Sequence, residues 1–379
     1  MKFVHLSDLH LGKRVNGFSM VEEQRDSLTK ILAILDREQP QAVLIAGDVY
    51  DRAVPSTEAV SLFDDFLVQL ARRKLSVLLI SGNHDSPERL AFGGRLLERS
   101  GVHLSPVYCG QVEPVVLEDQ YGPVLFYLLP FLKPAQVRPF FPEREINSYD
   151  DAAAAAIDAM EVPEGARCVL LAHQFVTGAV RSESEELSVG GTDNVNASRF
   201  DPFDYVALGH LHAPQKVGRE TLRYCGAPLQ YAFSEVGEKS LTVVELAEKG
   251  VCTVAAVPLE PRHRMLELRG LYDTVTSKAY YEARGCQEDY VHIILTDEED
   301  IPEAVHKLKA VYPRLMKLSY DNHRTRAAGV EVPEDQDVRQ QDPLELLESF
   351  YEAQNGQAMS QEQREFSRQL LERIWEGEP

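Results

Sequence analysis

Apolar residues gather in short runs along the first half of the chain: Phe3 to Leu6, Ala42 to Ala46, Val77 to Ile80, Val169 to Ala172 and Tyr205 to Leu208. Runs of four or five residues without a polar face predict strands buried on both sides. Between the first two, Leu28, Ile31, Leu32 and Leu35 recur at i, i+3, i+4 and i+7. Between the next two, Val60, Phe63, Leu67 and Leu70 keep a helical spacing. Both stretches predict amphipathic crossover helices. Strands alternating with helices predict an α/β fold, and the β-rich stretch Leu222 to Val257, punctuated by Gly and Pro, extends that sheet or faces it with a second.

Beyond Pro261 the pattern changes, with strand-like Met265 to Leu268, Tyr290 to Leu295 and Leu315 to Tyr320 set among helix-like segments. At 379 residues the chain exceeds what one hydrophobic core serves. The predicted organisation is a main α/β domain over 1–260, a smaller αβ domain over 261–326, a polar linker over 327–341 and two helices within 342–379. Asp342 before Pro343 reads as an N-cap, Asn355-Gly356 as a stop, and Ser360 with Gln363 as a capping box. Leu344, Leu347 and Tyr351 make one apolar stripe, and Phe366, Leu370, Leu371, Ile374 and Trp375 another. Helices this short are marginal alone, which predicts that they dock on a partner.

The formal charge is −21, which excludes a protein that holds nucleic acid by bulk electrostatics. Thirteen acidic and only four basic residues lie in 331–379, however, so the main domain is less acidic than the whole. Five cysteines lie far apart without a CxxC pair, which predicts neither a disulfide framework nor a thiolate metal site and fits a reducing cytoplasm. No apolar run reaches membrane-spanning length.

The candidate chemistry lies at the ends of the strands. Asp8-Leu9-His10 follows the first, Gly47-Asp48 the second, Gly82-Asn83-His84-Asp85 the third, His173 the fourth and Gly209-His210-Leu211-His212 the fifth. Loops at the carboxyl ends of α/β strands converge on ligand sites. Asp8, His10, Asp48, Asn83, His173, His210 and His212 are too many ligands for one ion but suit two if a carboxylate bridges, and Asp48 is the natural bridge. Imidazole, carboxylate and amide oxygen without thiolate favour Mn²⁺, Fe²⁺ or Zn²⁺, with Mn²⁺ the first choice. A pair of such ions activates water and clamps both oxygens of an in-line displacement at phosphorus, so phosphoester hydrolysis is expected. Asp85 reads either as a helix cap before Pro87 or as support for the site. His5 and His103 lie outside every motif and read as structural.

In their order, DLH, GDVYD, GNHD, the lone His173 and GHLH resemble the signature of calcineurin-like metallophosphoesterases. The resemblance implies a two-sheet α/β/β/α sandwich with a smaller αβ capping domain and C-terminal helices. It implies that Asp8, His10, Asp48 and His212 hold one ion and Asp48, Asn83, His173 and His210 the other. His84 would then act on the scissile phosphate, with Asp51 orienting it. The blocks HLSDLHLGKR, VLIAGDVYDRAVPS, ISGNHDSPERL, LLAHQFVTGA, FDYVALGHLHAPQ and YCGAPLQYAFSE resemble the SbcD nuclease-subunit family over roughly the first 240 residues. Cys225, Ala227 and Ala232 stand where that family's last block has serines. The resemblance implies Mn²⁺-dependent exonuclease and endonuclease action on DNA ends and hairpins in repair and recombination. It further implies complex formation with an SbcC-like coiled-coil ATPase and a homodimer through 57–73 and 87–99 inside a heterotetramer. ATP would be the partner's substrate, since no GxxxxGK[ST] loop occurs in the chain. The rival reading is a phosphomonoesterase or cyclic-nucleotide phosphodiesterase of the same superfamily.

Overall fold

In the computed structural model, residues 1–180, 194–235, 237–322, 343–355 and 358–376 are described. Each predicted apolar run forms a strand. Lys2–Leu6, Ala42–Ala46, Ser76–Ile80 and Val102–Leu104 pair in parallel in that order, and Ser240–Leu246 joins the Lys2–Leu6 edge antiparallel, followed by Cys252–Pro258. A second six-stranded sheet runs in the order Gln215–Val217, Arg219–Tyr224, Tyr205–Gly209, Arg167–His173, Gly122–Leu128 and Val115–Asp119. The β-rich stretch therefore does both things open to it: Arg219–Tyr224 builds the second sheet and the later two strands extend the first.

Side-chain alternation along each strand decides how these sheets stack. Phe3, Leu44, Leu78 and Ile80 from the first sheet meet Phe126, Leu128, Val169, Leu171, Tyr205 and Ala207 from the second in one buried cluster. Val4, Val43, Ile45 and Leu79, on the opposite face, pack on Leu28, Ile31 and Leu35 of helix Val21–Glu38 and on Leu62, Phe63 and Phe66 of helix Thr57–Arg72. Leu170, Val206 and Leu208 pack on the alanines of helix Tyr149–Asp158. The layering is α/β/β/α, and strands covered on both faces carry the all-apolar runs the sequence displays. His5 lies between the sheets, its Nδ1 2.9 Å from the Tyr205 hydroxyl, and burial lowers its pKa to about 3, so it stays neutral.

The third sheet is parallel throughout: Met265–Gly270, Tyr290–Leu295 and Leu315–Tyr320. Val291, Ile293, Leu295, Leu308 and Tyr312 give it its own core, while Met265 and Tyr290 pack with Val15, Met20, Leu229 and Tyr231 of the main body. Residues 1–322 form one compact unit and 323–379 another. In the latter, helices Pro343–Asn355 and Gln361–Glu376 are present. The expected capping box forms, with Ser360 Oγ accepting from Gln363 N (3.2 Å) and Gln363 Oε1 from Ser360 N (2.9 Å). Gln363 Nε2 also donates to the Tyr351 hydroxyl (3.1 Å) and Arg364 pairs with Glu348, which ties the two helices together. The linker 327–341, Asp342 and Gly356 lie outside the described residues, as do the side chains of Leu370, Leu371, Ile374 and Trp375.

Candidate metal centre

Five loops leave the carboxyl ends of their strands and meet. The first two are joined by backbone bonds, Asp8 N to Gly47 O (3.0 Å), His10 N to Asp48 O (2.9 Å) and Leu11 N to Val49 O (2.9 Å). The third joins through His84 N to Asp48 Oδ1 (2.9 Å) and the fifth through His210 N to Asp8 Oδ1 (3.0 Å). Asp8, His10, Asp48 and His210 all have positive φ (54°, 43°, 51° and 104°), a conformation side chains rarely adopt and one that surrounding bonds must hold. Glycine is required beside them. A Cβ on Gly82 would run into the Asp48 carboxylate, and one on Gly209 into the Ala46 carbonyl.

The expected ligands lie together. His10 Nε2 and His212 Nε2 are 3.0 Å apart. Asp48 Oδ2 lies 3.7 Å from His10 Nε2 and 3.3 Å from His173 Nε2, so one carboxylate oxygen faces both halves of the cluster. Asn83 Oδ1 is 3.0 Å from His173 Nε2 and 3.1 Å from His210 Nδ1. The far nitrogens of two rings are anchored: His173 Nδ1 donates to the Ala46 carbonyl (2.7 Å) and His212 Nδ1 to Glu235 Oε1 (2.8 Å). Such anchors fix ring orientation and leave the other nitrogen for a metal.

Electrostatics point the same way. The Asp8 and Asp48 carboxylates are 0% and 2% exposed, and among the described residues neither pairs with Lys or Arg. Burial raises the Asp8 pKa to about 6 against the opposing pull of His173 and His212. Burial would raise Asp48 too, but its contact with His173, aided by His10 and His84, holds it below the usual range. Burial presses His173 down, yet Asp48 and Asp8 outweigh it and lift the ring to about 9. Burial lowers His10, whose Nδ1 has no hydrogen-bond partner among the described residues. Two carboxylates out of water without a matching cation are costly, and bound cations remove that cost. The donor set fits two divalent ions, with Asp8, His10 and His212 within ligand distance of one another, and likewise Asp8, Asp48 and His173.

His84 stands at the rim, its side chain 23% exposed, its Nε2 4.0 Å from Asp48 Oδ2 and its ring 4.8 Å from that of His10. Distance alone also groups it with His10 and Asp48 as a ligand. Its partial exposure sets it apart from those two, which are buried. Asp51 differs from expectation in one respect. The atom that meets His84 Nδ1 (3.1 Å) is its backbone carbonyl, while its carboxylate accepts from Lys13 Nζ (2.7 Å). Asp85 is not the helix cap. Ser86 fills that position, and the Asp85 carboxylate accepts from Val49 N (3.1 Å), Tyr50 N (2.9 Å) and Gly82 N (3.0 Å), binding the second motif loop to the third.

Sequence reasoning missed Glu235, Gln24 and Tyr231. Glu235 sits inside the conspicuous YCGAPLQYAFSE block, and that placement was its only signal. Burial pushes its pKa up, yet its bonds to His212 and Lys239 outweigh that and hold it at about 2. Cys225 Sγ lies 3.0 Å from Ser7 Oγ, which in turn bonds to Asp8, so the departure at this position touches packing behind a ligand and no ligand itself.

Fold and site together define a phosphoesterase built to hold two divalent metal ions. The family of calcineurin-like phosphoesterases matches residues 1–214, and the family described as type 5 capsule protein repressor C-terminal domain matches 261–355. The SbcD subunit of the SbcCD nuclease of Staphylococcus epidermidis is 31% identical over 385 residues, spanning all of both chains. The chain belongs to the calcineurin-like phosphoesterases and, among them, to the SbcD nuclease-subunit family. Solved structures resemble it loosely. A dimetal phosphatase from Danio rerio (TM-score 0.39, 10% identity) covers 69% of this chain and 99% of its own. An archaeal phosphodiesterase (0.29, 13%) covers 68% of this chain and 100% of its own. No helix among the described residues is long and apolar enough to cross a membrane.

Proposed function

We propose that the chain is the nuclease subunit of a DNA-processing complex, hydrolysing DNA phosphodiesters with two divalent metal ions. The observation that carries this is that one carboxylate oxygen of Asp48 faces both His10 and His173, in a chain related end to end to a nuclease subunit. Asp8, His10, Asp48 and His212 would hold one ion and Asp48, Asn83, His173 and His210 the other; Mn²⁺ suits this nitrogen and oxygen set. When bound, the pair supplies an activated nucleophile and charge neutralisation at phosphorus. His84 keeps its Nδ1 proton on the Asp51 carbonyl and turns Nε2 toward the pocket. From there the ring stands to donate to a phosphate oxygen or to the leaving oxygen as the P–O bond breaks.

The finer reading is exonuclease and endonuclease action on duplex ends and hairpins in DNA repair, in the cytoplasm. The domains are a phosphoesterase body over 1–260, a cap over 261–326 and a docking segment over 342–379 for an SbcC-like coiled-coil ATPase. Phe366, 68% exposed, and Phe350, 63% exposed, support a partner-binding role for that segment. Phe92 and Leu96, 86% and 78% exposed, support a homodimer through 87–99. The test is to incubate the purified chain and Mn²⁺ with linear duplex, hairpin DNA and a chromogenic phosphomonoester. Cutting of both DNAs is expected, and hydrolysis of the monoester alone would move the reading to a phosphomonoesterase. Deleting residues after Gln341 is expected to abolish co-purification with the ATPase while hydrolysis of a small phosphodiester survives.

A further inference from the structure

Gln24 lies in the first turns of helix Val21–Glu38 and is 1% exposed. Both ends of its amide are used. Nε2 donates to the His10 carbonyl (2.7 Å), with the Leu9 carbonyl (3.4 Å) and the Tyr231 hydroxyl (3.2 Å) alongside, and Oε1 accepts from Gly12 N (3.0 Å). Its contacts thus bracket residues 9–12, the loop whose backbone at Asp8 and His10 is left-handed. Tyr231 completes the hold. Its hydroxyl donates to the Leu9 carbonyl (2.5 Å), its ring stands edge-on to those of His10 (5.6 Å) and His212 (5.9 Å), and its backbone N–H donates to Glu235 Oε2 (3.2 Å). Glu235 is the residue that anchors His212.

We propose that Gln24, acting with Tyr231, is a positioning residue that sets His10 against His212 and thereby fixes the affinity of the first metal pocket. Left-handed backbone persists only where neighbours over-determine it, and carbonyls 9 and 10 are held from the helix side by one amide. Released from that amide, His10 loses the ring placement that brings its Nε2 within 3.0 Å of His212 Nε2. The ligands themselves remain, so the defect is in metal affinity and not in the chemistry of the loaded site. Outer partners of metal ligands are typically worth about 10–100-fold in affinity.

The inference rests on the metal-pocket reading above, and the experiment separates the two. Mn²⁺ is titrated calorimetrically into the full chain, with the metal-free melting temperature as the check on folding. Gln24→Met keeps the shape and removes all polarity; Gln24→Glu keeps the acceptor for Gly12 N but turns an oxygen toward three oxygens. Both are expected to weaken Mn²⁺ binding by about 10-fold or more, to raise the Mn²⁺ concentration that half-saturates DNA cutting in step, and to leave KM for DNA and the rate at saturating Mn²⁺ near wild type. Ser27→Ala, on the same helix, removes a buried hydroxyl with no hydrogen-bond partner among the described residues and is expected to change nothing. A packing role for Gln24 would be met equally by Met and Glu, with Mn²⁺ binding unchanged, and that result overturns the inference. If the Gln24 variants fail to fold, Tyr231→Phe decides. Loss of its hydroxyl is expected to weaken Mn²⁺ binding in the same direction, and unchanged binding rejects the clamp. A wild-type chain that binds no Mn²⁺ would instead sink the metal reading itself.

Discussion

Glu235→Gln separates what a buried carboxylate does for the fold from what it does for the metal pocket. Its side chain is 3% exposed and makes three contacts: Oε1 with His212 Nδ1 (2.8 Å), and Oε2 with Lys239 Nζ (2.6 Å) and Tyr231 N (3.2 Å). All three partners are donors. The amide has one acceptor oxygen and one donor NH₂, so in either orientation a donor faces a donor. With the oxygen toward Lys239, His212 loses its anchor; with the oxygen toward His212, an ammonium only 8% exposed keeps just the His212 carbonyl at 3.1 Å. Breaking a buried ion pair by removing one charge costs about 3–5 kcal/mol of stability, and loosening a ligand's outer anchor costs about 10–100-fold in metal affinity. Adding Lys239→Met removes the orphaned ammonium. The double variant is therefore expected to regain most of the melting temperature lost by Glu235→Gln and, with its amide oxygen free to turn to His212, part of the Mn²⁺ affinity. Calorimetric unfolding and Mn²⁺ titration of the four members of this cycle read the two effects apart. If Glu235→Gln binds Mn²⁺ as wild type does, the anchoring role is wrong.

Chelation to remove divalent ions is expected to abolish DNA hydrolysis and Mn²⁺ to restore it; full activity after exhaustive chelation contradicts the two-ion site. His84→Gln is expected to retain both ions by mass spectrometry and to cut about 10²–10⁴-fold more slowly, whereas loss of an ion would make His84 a ligand. Asp51→Asn preserves the carbonyl that meets His84, so its effect on rate is expected to fall well below that of His84→Gln; equal defects would return the orienting role to the carboxylate. Gly82→Ala puts a methyl into the Asp48 carboxylate and is expected to lower metal occupancy in a chain that still folds, as read by elemental analysis and circular dichroism.

What the sequence made legible follows from where polarity is tolerated. Strands covered on both faces must be apolar along their length, so the change to Asp8, Asp48, Asn83 and His210 at their ends stands out. The edge of the second sheet did not stand out. Val115–Asp119 alternates half-buried with exposed positions, while Gly122–Leu128 does hold an apolar run, Val124 to Leu128, whose end carries no ligand-type residue to mark it. The candidate ligands were legible and their supports were not. Asp85 could be placed at the motif but not aimed, because its three N–H donors come from residues 49, 50 and 82, on two loops that meet only in the fold. How Asp51 meets His84 was hidden for a related reason: a motif spacing does not say whether a residue acts through its side chain or its carbonyl.

The supports also show how the site is fastened to the rest of the molecule. Gln24 holds the loop of His10, and its neighbour Glu23, 3% exposed, accepts from His263 Nδ1 (2.6 Å) and the Tyr290 hydroxyl (3.3 Å). Consecutive helical residues point about 100° apart, so one turn of Val21–Glu38 serves the metal loop on one side and the third sheet on the other. The third sheet is thereby seated, through two hydrogen-bonded links, on the same backbone that sets the first metal pocket. A substrate that contacted residues 263–320 would load that helix directly. Affinity for metal and the seating of the third sheet are for this reason expected to vary together across substitutions at Glu23, Gln24 and Tyr290. Neither link runs through His84, whose ring meets Asp51, Asp48 and His10. Mn²⁺ titration of Tyr290→Phe checks this: the variant keeps every ligand and every bond of Gln24, and a Mn²⁺ affinity equal to wild type would show that the link through Glu23 carries no load.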